Sequence, residues 1–308
     1  MDLVLVGLGR MGGNMVRRLA RDGHHVVAVD PQQEARDALA NEPGVTVVAS
    51  LGEVIGQLRP PRTVWLMLPA GAVTDSVLEQ LPALLAPGDL VVDGGNADYR
   101  DSMARAKRLQ QHGLGFADVG VSGGVWGLTE GYGLMAGGTT ADIERLTPVL
   151  RSLAPGDDTG WVHAGPVGAG HFTKMVHNGI EYGAMQALAE GFAILDARPD
   201  LVTDQAAVAE AWRYGTVIRS WLLDLTASVL ADGGDLSQVA PEVADSGEGR
   251  WTVREAVDQG VPAPVITTAL MQRFSSQGRG DYANRLLALM RHAFGGHPVG
   301  SERPGAPT

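Results

Sequence analysis

The sequence predicts an α/β domain with a doubly wound parallel sheet, followed by an all-α domain with one long central helix. In the first half of the 308 residues, short β-branched runs alternate with stretches of helical composition. This alternation is typical of parallel strands joined by crossover helices. After Pro166 the alternation stops, and residues 168–197 contain neither proline nor a strand-like pattern. At roughly 1.5 Å per residue, such a run predicts a helix of about 40 Å.

The individual elements follow from the same patterns. Later strands are predicted at residues 115–119, 132–136 and 159–163, and helices from about residue 206 to 294, broken by a Gly- and Asp-rich loop at 232–249. The predicted domains are residues 1–165 and 166–298, and residues 299–308 are expected to be a flexible tail. The first five strands are predicted at LVLVG, VVAVD, VTVVA, TVWLML and DLVVDGG.

Composition excludes several classes of function. The chain is 44% hydrophobic and 19% charged, as in an ordinary globular protein. Its net charge of -11 disfavours nucleic acid or an acidic membrane as a partner. Without cysteine it has no disulfide, thiolate metal site or cysteine nucleophile. The apolar run at residues 3–6 is too short for a signal peptide, and no stretch approaches the roughly 20 apolar residues of a membrane span. We therefore expect a cytoplasmic protein.

A glycine motif follows the first predicted strand. Gly7, Gly9 and Gly12 form G-x-G-x-x-G before a helix, the context in which a Rossmann-like fold binds a dinucleotide pyrophosphate. Asp30 ends the second strand, where a carboxylate bonds a ribose 2'-hydroxyl and repels a 2'-phosphate, so NAD is favoured over NADP. The alternative is a structural glycine turn beside a surface aspartate, with Arg36 as a nearby solvated cation. The other expected cofactor contacts are Arg10, Met11, Leu68, Pro69 and Asn96.

A polar stripe lies on the long predicted helix. Lys174, His177, Asn178 and Glu181 are spaced i, i+3, i+4 and i+7, so they share one helix face. Burying such groups without partners costs several kcal/mol, roughly 2–7 for each. A bound polar substrate explains the stripe, and so does a structural polar network or an inter-subunit seam. In the first case the lysine serves as a base if burial lowers its pKa, and the glutamate serves as a separate acid.

Two glycine-rich loops follow consecutive strands. DGGN, residues 93–96, comes after the fifth strand, and VSGG, residues 121–124, comes after the sixth. The carboxyl edge of such a sheet is where ligands bind. The Ser122 hydroxyl and the glycine N–H groups suit a carboxylate. Each loop alone is more typical of a tight turn, whereas together they indicate one substrate rim.

Several of these segments together resemble the 6-phosphogluconate dehydrogenase family in its short-chain form. The segments are GLGRMGGNM, DGGN, VSGG, GAGHFTKMVHNGIEYGAM, GEGRWT and RHAFGGH, and they extend over nearly the whole chain. The resemblance implies oxidation of 6-phosphogluconate at C3, decarboxylation of the β-keto acid, and formation of ribulose 5-phosphate, a step of the pentose phosphate pathway. It also implies that Lys174 is the general base and that Glu181 is the acid that protonates C1. The implied substrate-holding residues are Asn96, Ser122, Gly123, Gly124, His177 and Asn178.

Phosphate recognition matches the family only in part. Tyr182 and Arg273 match phosphate ligands, and Arg291 with His297 matches a pair that in the family reaches into the neighbouring subunit's site, which implies a homodimer or homotetramer. Ser246 and Glu248 stand where the family commonly has a lysine and a threonine. Where NADP-linked members carry an arginine after the second strand, this chain has Pro31, which agrees with the NAD preference inferred from Asp30.

Two other functions compete with this interpretation. A 3-hydroxyisobutyrate-type dehydrogenase shares the glycine loops and the lysine, but it needs neither the second acid Glu181 nor the tail pair Arg291 and His297. A non-catalytic NAD-binding sensor needs neither Lys174 nor Glu181. No metal is expected, because the eight histidines form no ligand cluster in the sequence and a β-keto acid loses CO2 without one.

Overall fold

The computed structural model describes residues 1–54, 56–232, 236–295 and 298–300. Contacts between residues divide the chain into two compact units, Met1–His177 and Asn178–Thr308. The sequence-based boundary after residue 165 lies at the end of the last strand. The unit boundary lies further along, inside the long helix.

Among the described residues, the first unit is built on one sheet of eight strands in the order β3-β2-β1-β4-β5-β6-β7-β8. Each predicted strand is present within a few residues of its expected position. The doubly wound α/β prediction is therefore confirmed. The strands are β1 (Asp2–Val6), β2 (His25–Val29), β3 (Val45–Val48), β4 (Thr63–Leu66), β5 (Leu90–Asp93), β6 (Gly115–Ser122), β7 (Gly133–Gly137) and β8 (Trp161–Gly165).

Strand direction changes once in this sheet. The pairs from β3 through β6 are parallel, β6 and β7 are antiparallel, and β7 and β8 are parallel again. Only residues 123–132 join β6 to β7, and a parallel return needs a crossover of about a dozen residues or more. The carboxyl ends of β1, β4, β5 and β6 consequently share one edge of the sheet.

Apolar side chains cover both faces of the sheet. Leu3 and Leu5 of β1 lie in one buried cluster, and Val4 and Val6 lie in the other. Successive residues of a strand point to opposite faces, so a strand buried on both sides has no polar alternation. This explains the continuous apolar runs in the sequence.

The helices flank the sheet and then form the second unit. Of the later elements, α7 belongs partly to each unit, because the unit boundary falls within it. In the described residues the helices are α1 (Arg10–Arg21), α2 (Gln33–Asp37), α3 (Ala72–Leu84), α4 (Tyr99–Gln110), α5 (Gly127–Glu130), α6 (Thr140–Leu153), α7 (Ala169–Asp196), α8 (Gln205–Trp212), α9 (Trp221–Ala231), α10 (Glu248–Gln259), α11 (Pro264–Ser276) and α12 (Asp281–Gly295).

The long helix α7 has 28 residues and lies within the helical run predicted at residues 168–197. Its first turns are largely buried, whereas its later part exposes apolar side chains such as Ile180 and Ile194. Phe192 packs with Leu223 in a buried cluster of the second unit. The chain alone therefore covers only part of the helix.

The predicted loop at residues 232–249 is wrong at its end, because Glu248 and Gly249 belong to α10. Gly247, with φ 105°, precedes the helix as its N-cap. The segment GEGRWT is thus a helix start rather than a loop. No helix in the described parts of the chain is long and apolar enough to cross a membrane.

Candidate active site

The turn between β1 and α1 gives its three glycines different roles. Gly7 has φ 94°, and a Cβ there would lie 2.5 Å from the Met67 carbonyl oxygen. A Cβ at Gly12 would lie 1.9 Å from the carbonyl oxygen of Gly7, whereas a Cβ at Gly9 would have no atom of the described residues within 4 Å. The first and third glycines therefore allow close packing, and the second leaves open backbone beside the helix N-terminus. That arrangement suits a pyrophosphate.

Asp30 directs its carboxylate toward the same turn. Oδ2 accepts a hydrogen bond from Leu8 N at 2.8 Å, and Oδ1 accepts one from Gln32 N at 2.9 Å. Arg36 donates to the carbonyl oxygens of Asp30 and Pro31 at 2.7 and 2.8 Å. A carboxylate fixed at the glycine turn can accept from a ribose hydroxyl, since each oxygen retains accepting capacity.

Leu68 and Pro69 follow β4, which pairs with β1. The Leu68 side chain borders Gly7, with Cδ2 2.9 Å from where a Cβ would lie. The Pro69 carbonyl accepts from Thr74 Oγ1 at 2.8 Å. An open cavity of about 310 Å3 adjoins the turn and is lined in part by Gly9 and Arg10. The structure thus brings the cofactor residues predicted after β1, β2 and β4 to one edge of the sheet.

Buried contacts hold the DGGN segment in place. Asp93 Oδ1 accepts from Gly95 N at 3.1 Å, and Oδ2 pairs with Arg105 at 2.9 Å, where both side chains are buried. A Cβ at Gly94 would lie 2.2 Å from the indole nitrogen of Trp65. These contacts fix the loop that precedes the exposed Asn96.

The VSGG segment ends β6. Ser122 is the last residue of the strand, and Gly123 and Gly124 both have positive φ, 125° and 53°. Residues with a side chain rarely adopt such φ values, so glycine is required there. The segment places a hydroxyl and a glycine backbone at the carboxyl end of β6.

Lys174 is packed against this strand. Its Cβ lies 2.3 Å from where a Cβ on Gly120 would be, and Gly120 is two residues before Ser122 in β6. The lysine is half-buried, and His177, one turn further along α7, is exposed. The stem of Lys174 can lie on the strand only because position 120 has no side chain.

The second unit contains the rest of the polar stripe. Asn178 is buried, and its Nδ2 donates to Glu248 Oε1 at 2.8 Å. Glu248 is buried as the first residue of α10, where a carboxylate suits the helix dipole. Glu181 is half-buried on the next turn of α7. The acidic residue that departs from the family pattern is therefore the partner of a predicted substrate-holding residue.

Tyr182 is the centre of a cluster in the same unit. Its hydroxyl lies 3.3 Å from Ser246 Oγ and 3.4 Å from Asp245 Oδ1, and the Arg273 guanidinium lies 3.5 Å from the ring centroid. Burial alone would raise the pKa of Asp245, but the Gly247 N–H and the Arg250 guanidinium hold the pKa below its ordinary value. The structure thus brings together Tyr182, Arg273 and Ser246, and Arg250 lies beside them on Asp245.

The structure places only one residue of the predicted tail pair. Arg291 is exposed on α12, and His297 lies outside the described residues. Sequence reasoning also missed Asp118 and Gly120, which lie against the first turns of α7, and His171, which belongs to them. An acid inside the otherwise apolar strand β6 was the available signal for Asp118.

Comparisons with known proteins agree with this geometry. Residues 2–165 match the model of the NAD binding domain of 6-phosphogluconate dehydrogenase, and residues 170–295 match the model of its C-terminal domain. The chain is 42% identical over 301 residues to the NAD(+)-dependent, decarboxylating 6-phosphogluconate dehydrogenase of Haloferax volcanii, covering 97% of this chain and 98% of the relative. It is 36% identical to the Bacillus subtilis enzyme of the same description, covering 88% of this chain but 60% of that longer one.

Solved structures give the same result. The 6-phosphogluconate dehydrogenase of Plasmodium falciparum superposes with a TM-score of 0.83 at 27% identity, covering all of this chain and 67% of the other. A 3-hydroxyisobutyrate dehydrogenase of Mycobacterium tuberculosis superposes with a TM-score of 0.71 at 23% identity, covering 91% and 94%, and shows only a shared fold. The chain belongs to the 6-phosphogluconate dehydrogenase family.

Proposed function

We propose that this chain oxidises 6-phosphogluconate with NAD and decarboxylates the product to ribulose 5-phosphate and CO2. The observation that carries the proposal is the packing of Lys174 against Gly120. Gly120 lies two residues before Ser122, and all three residues belong to the same compact unit as the glycine turn. Family membership and NAD(+)-dependent relatives support the same reaction.

The residues around the glycine turn fit NAD. The open backbone at Gly9 leaves space for a pyrophosphate, and Asp30 offers an acceptor for a ribose hydroxyl. A 2'-phosphate in that place would meet the carboxylate, and Arg36 is engaged with backbone carbonyls. When bound, NAD accepts the hydride from C3 of the substrate. We therefore assign NAD rather than NADP.

Lys174 is the proposed base. Lys107 and Lys174 are the two lysines of a chain with 24 lysines and arginines in all. Arginine does not give up its proton in proteins, whereas a lysine can, so only a lysine suits this role. Lys174 takes the proton of the 3-hydroxyl as the C3–H bond breaks, and returns a proton to the C3 oxygen as the C1–C2 bond breaks and CO2 leaves. Glu181 then protonates the former C2 of the enediol, which becomes C1 of the product, while the hydroxyl on the former C3 gives its proton back to Lys174 and the ketone forms.

The remaining predicted residues hold the substrate. Tyr182, Ser246 and Arg273 form a cluster suited to a phosphate, with Arg250 beside it. We assign the carboxylate and hydroxyl groups to Asn96, Ser122, Gly123, Gly124, His177 and Asn178.

We also propose that the chain forms a homo-oligomer in which Arg291 and His297 complete a neighbour's site. Support comes from α12, where Leu287 and Leu289 are more than half exposed, and from the exposed Ile194 of α7. Truncation before Arg291 is expected to raise the substrate KM more than the KM for NAD. An unchanged substrate KM would contradict this assignment.

The decisive experiment compares 6-phosphogluconate and gluconate, each with NAD and NADP, while CO2 is measured. We expect the highest kcat/KM with 6-phosphogluconate and NAD, and one CO2 for each NADH. Lys174→Ala should abolish turnover and retain NAD binding, and Lys107→Ala, at an exposed position of α4, is the matched control. Oxidation without CO2 release would favour a different β-hydroxyacid dehydrogenase. If the Lys174→Ala variant kept the biological effect of the protein, a non-catalytic NAD-binding sensor would be favoured.

A further inference from the structure

The first turn of α7 rests backbone against backbone on the sheet. A Cβ at Gly170 would lie 2.4 Å from the Asp118 carbonyl oxygen and 2.5 Å from that of Met135. A Cβ at Gly137 would lie 2.7 Å from Gly170 N. Because no side chain fits between them, the helix start and strands β6 and β7 are in direct contact. A small shift of this turn therefore moves the backbone that carries Lys174.

Asp118 fixes this turn through two backbone groups. Its fully buried carboxylate accepts from Gly168 N at 2.6 Å through Oδ1 and from His171 N at 2.8 Å through Oδ2. The first N–H groups of a helix have no partner within the helix, and a carboxylate there is favoured by the helix dipole. Burial raises the pKa of Asp118. The two N–H groups and the nearby His171 act in the opposite direction, but the pKa stays above its ordinary value. The strand thus supplies the N-terminal cap of the helix.

His171 ties the same turn to a third element. Its ring is buried, with Nδ1 2.7 Å from the Oγ of the fully buried Ser102 of α4. Within the described residues, Nε2 has no hydrogen-bond partner. A buried ring nitrogen without a partner is costly, so stability alone does not explain a histidine here. Because α4 follows the loop that carries Asn96, the histidine joins α7 to another part of the proposed site.

We propose that Asp118, His171 and Ser102 are positioning residues that hold the first turn of α7 and thereby set the place of Lys174 on β6. This inference rests on the proposed function of Lys174 as the base. His171 and Lys174 are three residues apart, about 4.5 Å along the helix axis. Since Cβ and Cγ of Lys174 already lie tight against Gly120, a shift of the first turn moves the stem that carries the amine.

The test uses variants that change the tether and leave Lys174 in place. Asp118→Asn keeps the size of the side chain, but its amide NH2 faces one of the two backbone donors. Ser102→Ala removes only the hydroxyl that holds His171. The control is Thr139→Ala, which removes the side-chain N-cap of α6. All three are expected to lower Tm, since each loses a buried or capping hydrogen bond.

Two quantities are measured: turnover, and the pH titration of the Lys174 amine. Protein labelled with 13Cε-lysine gives signals from Lys107 and Lys174, and both are titrated with pH. We expect Asp118→Asn and Ser102→Ala to lower kcat at least tenfold with an NAD KM within twofold. We also expect them to shift the titration midpoint of Lys174 and leave that of Lys107 unchanged. Thr139→Ala should change neither kcat nor either midpoint.

The outcomes separate three cases. A lower Tm with wild-type kcat and wild-type Lys174 titration overturns the positioning role and leaves a structural cluster. If Asp118→Asn does not fold, Ser102→Ala decides, because it only deletes one oxygen. If the wild type has no turnover with 6-phosphogluconate, the proposed function fails, and the lysine titration still reports whether the cluster positions Lys174.

Discussion

Gly120→Ala tests directly how Lys174 is seated. The backbone at Gly120 lies outside the positive-φ region, so alanine fits its conformation. Its new methyl would lie 2.3 Å from Lys174 Cβ, 2.9 Å from Cγ and 3.0 Å from the Gly170 carbonyl oxygen. Ordinary contacts begin near 3.4 Å. Lys174 or the strand must therefore move by about 1.1 Å, the difference between 3.4 and 2.3 Å.

A shift of this size has a definite kinetic cost. Misplacing a catalytic group by about 1 Å costs roughly 100-fold in rate. We therefore expect kcat with 6-phosphogluconate to fall about 100-fold. The KM for NAD should stay within about twofold, because Gly7, Gly9 and Asp30 follow other strands, β1 and β2. Overpacking also lowers the free energy of unfolding by roughly 1–3 kcal/mol.

Steady-state kinetics with thermal unfolding provides the assay. Gly133→Ala is the matched control, because it lies on the neighbouring strand β7 and its nearest atom, Ser122 Cβ, is at an ordinary 3.7 Å. It should retain most of the wild-type kcat. A folded Gly120→Ala variant with kcat within about threefold of wild type would refute the reasoning, since the lysine would then tolerate the displacement.

Three further predictions concern the cofactor, the acid and pH. Asp30→Ala should lower the ratio of kcat/KM for NAD to that for NADP by about tenfold or more, as expected for a charged hydrogen bond; an unchanged ratio contradicts the role of Asp30. Glu181→Gln should reduce turnover by roughly 100-fold or more with NAD affinity kept, whereas loss of NAD affinity argues against a late protonation. Burial lowers the pKa of His24 from 6.5, so its unfolded form binds more protons as pH falls. Tm should therefore drop below pH 6.5, and His24→Gln should weaken that drop.

Local patterns predict most residues of the proposed site. The glycine turn and Asp30 are recognised by spacing, and the stripe of Lys174 and Glu181 follows from the helical repeat. The structure also agrees with the predicted strands. One pattern was misleading: the glycines of GEGRWT indicated a loop, whereas Gly249 is required because a Cβ there would lie 2.5 Å from the Tyr182 ring. Composition alone cannot separate a glycine needed for packing from one needed for a turn.

The sequence by itself determined the alternation of strands and helices, the dinucleotide turn and the long helix with its polar stripe, because each depends on neighbours within a few residues. Three features were decided only by the tertiary structure. They are the antiparallel direction of β7, the hydrogen bonds by which Asp118 caps a helix start 50 residues away, and the packing of Lys174 against Gly120. These features depend on which strands and helices pack together. A periodic pattern reports which face of an element is buried, but not which residue of a distant element lies against it.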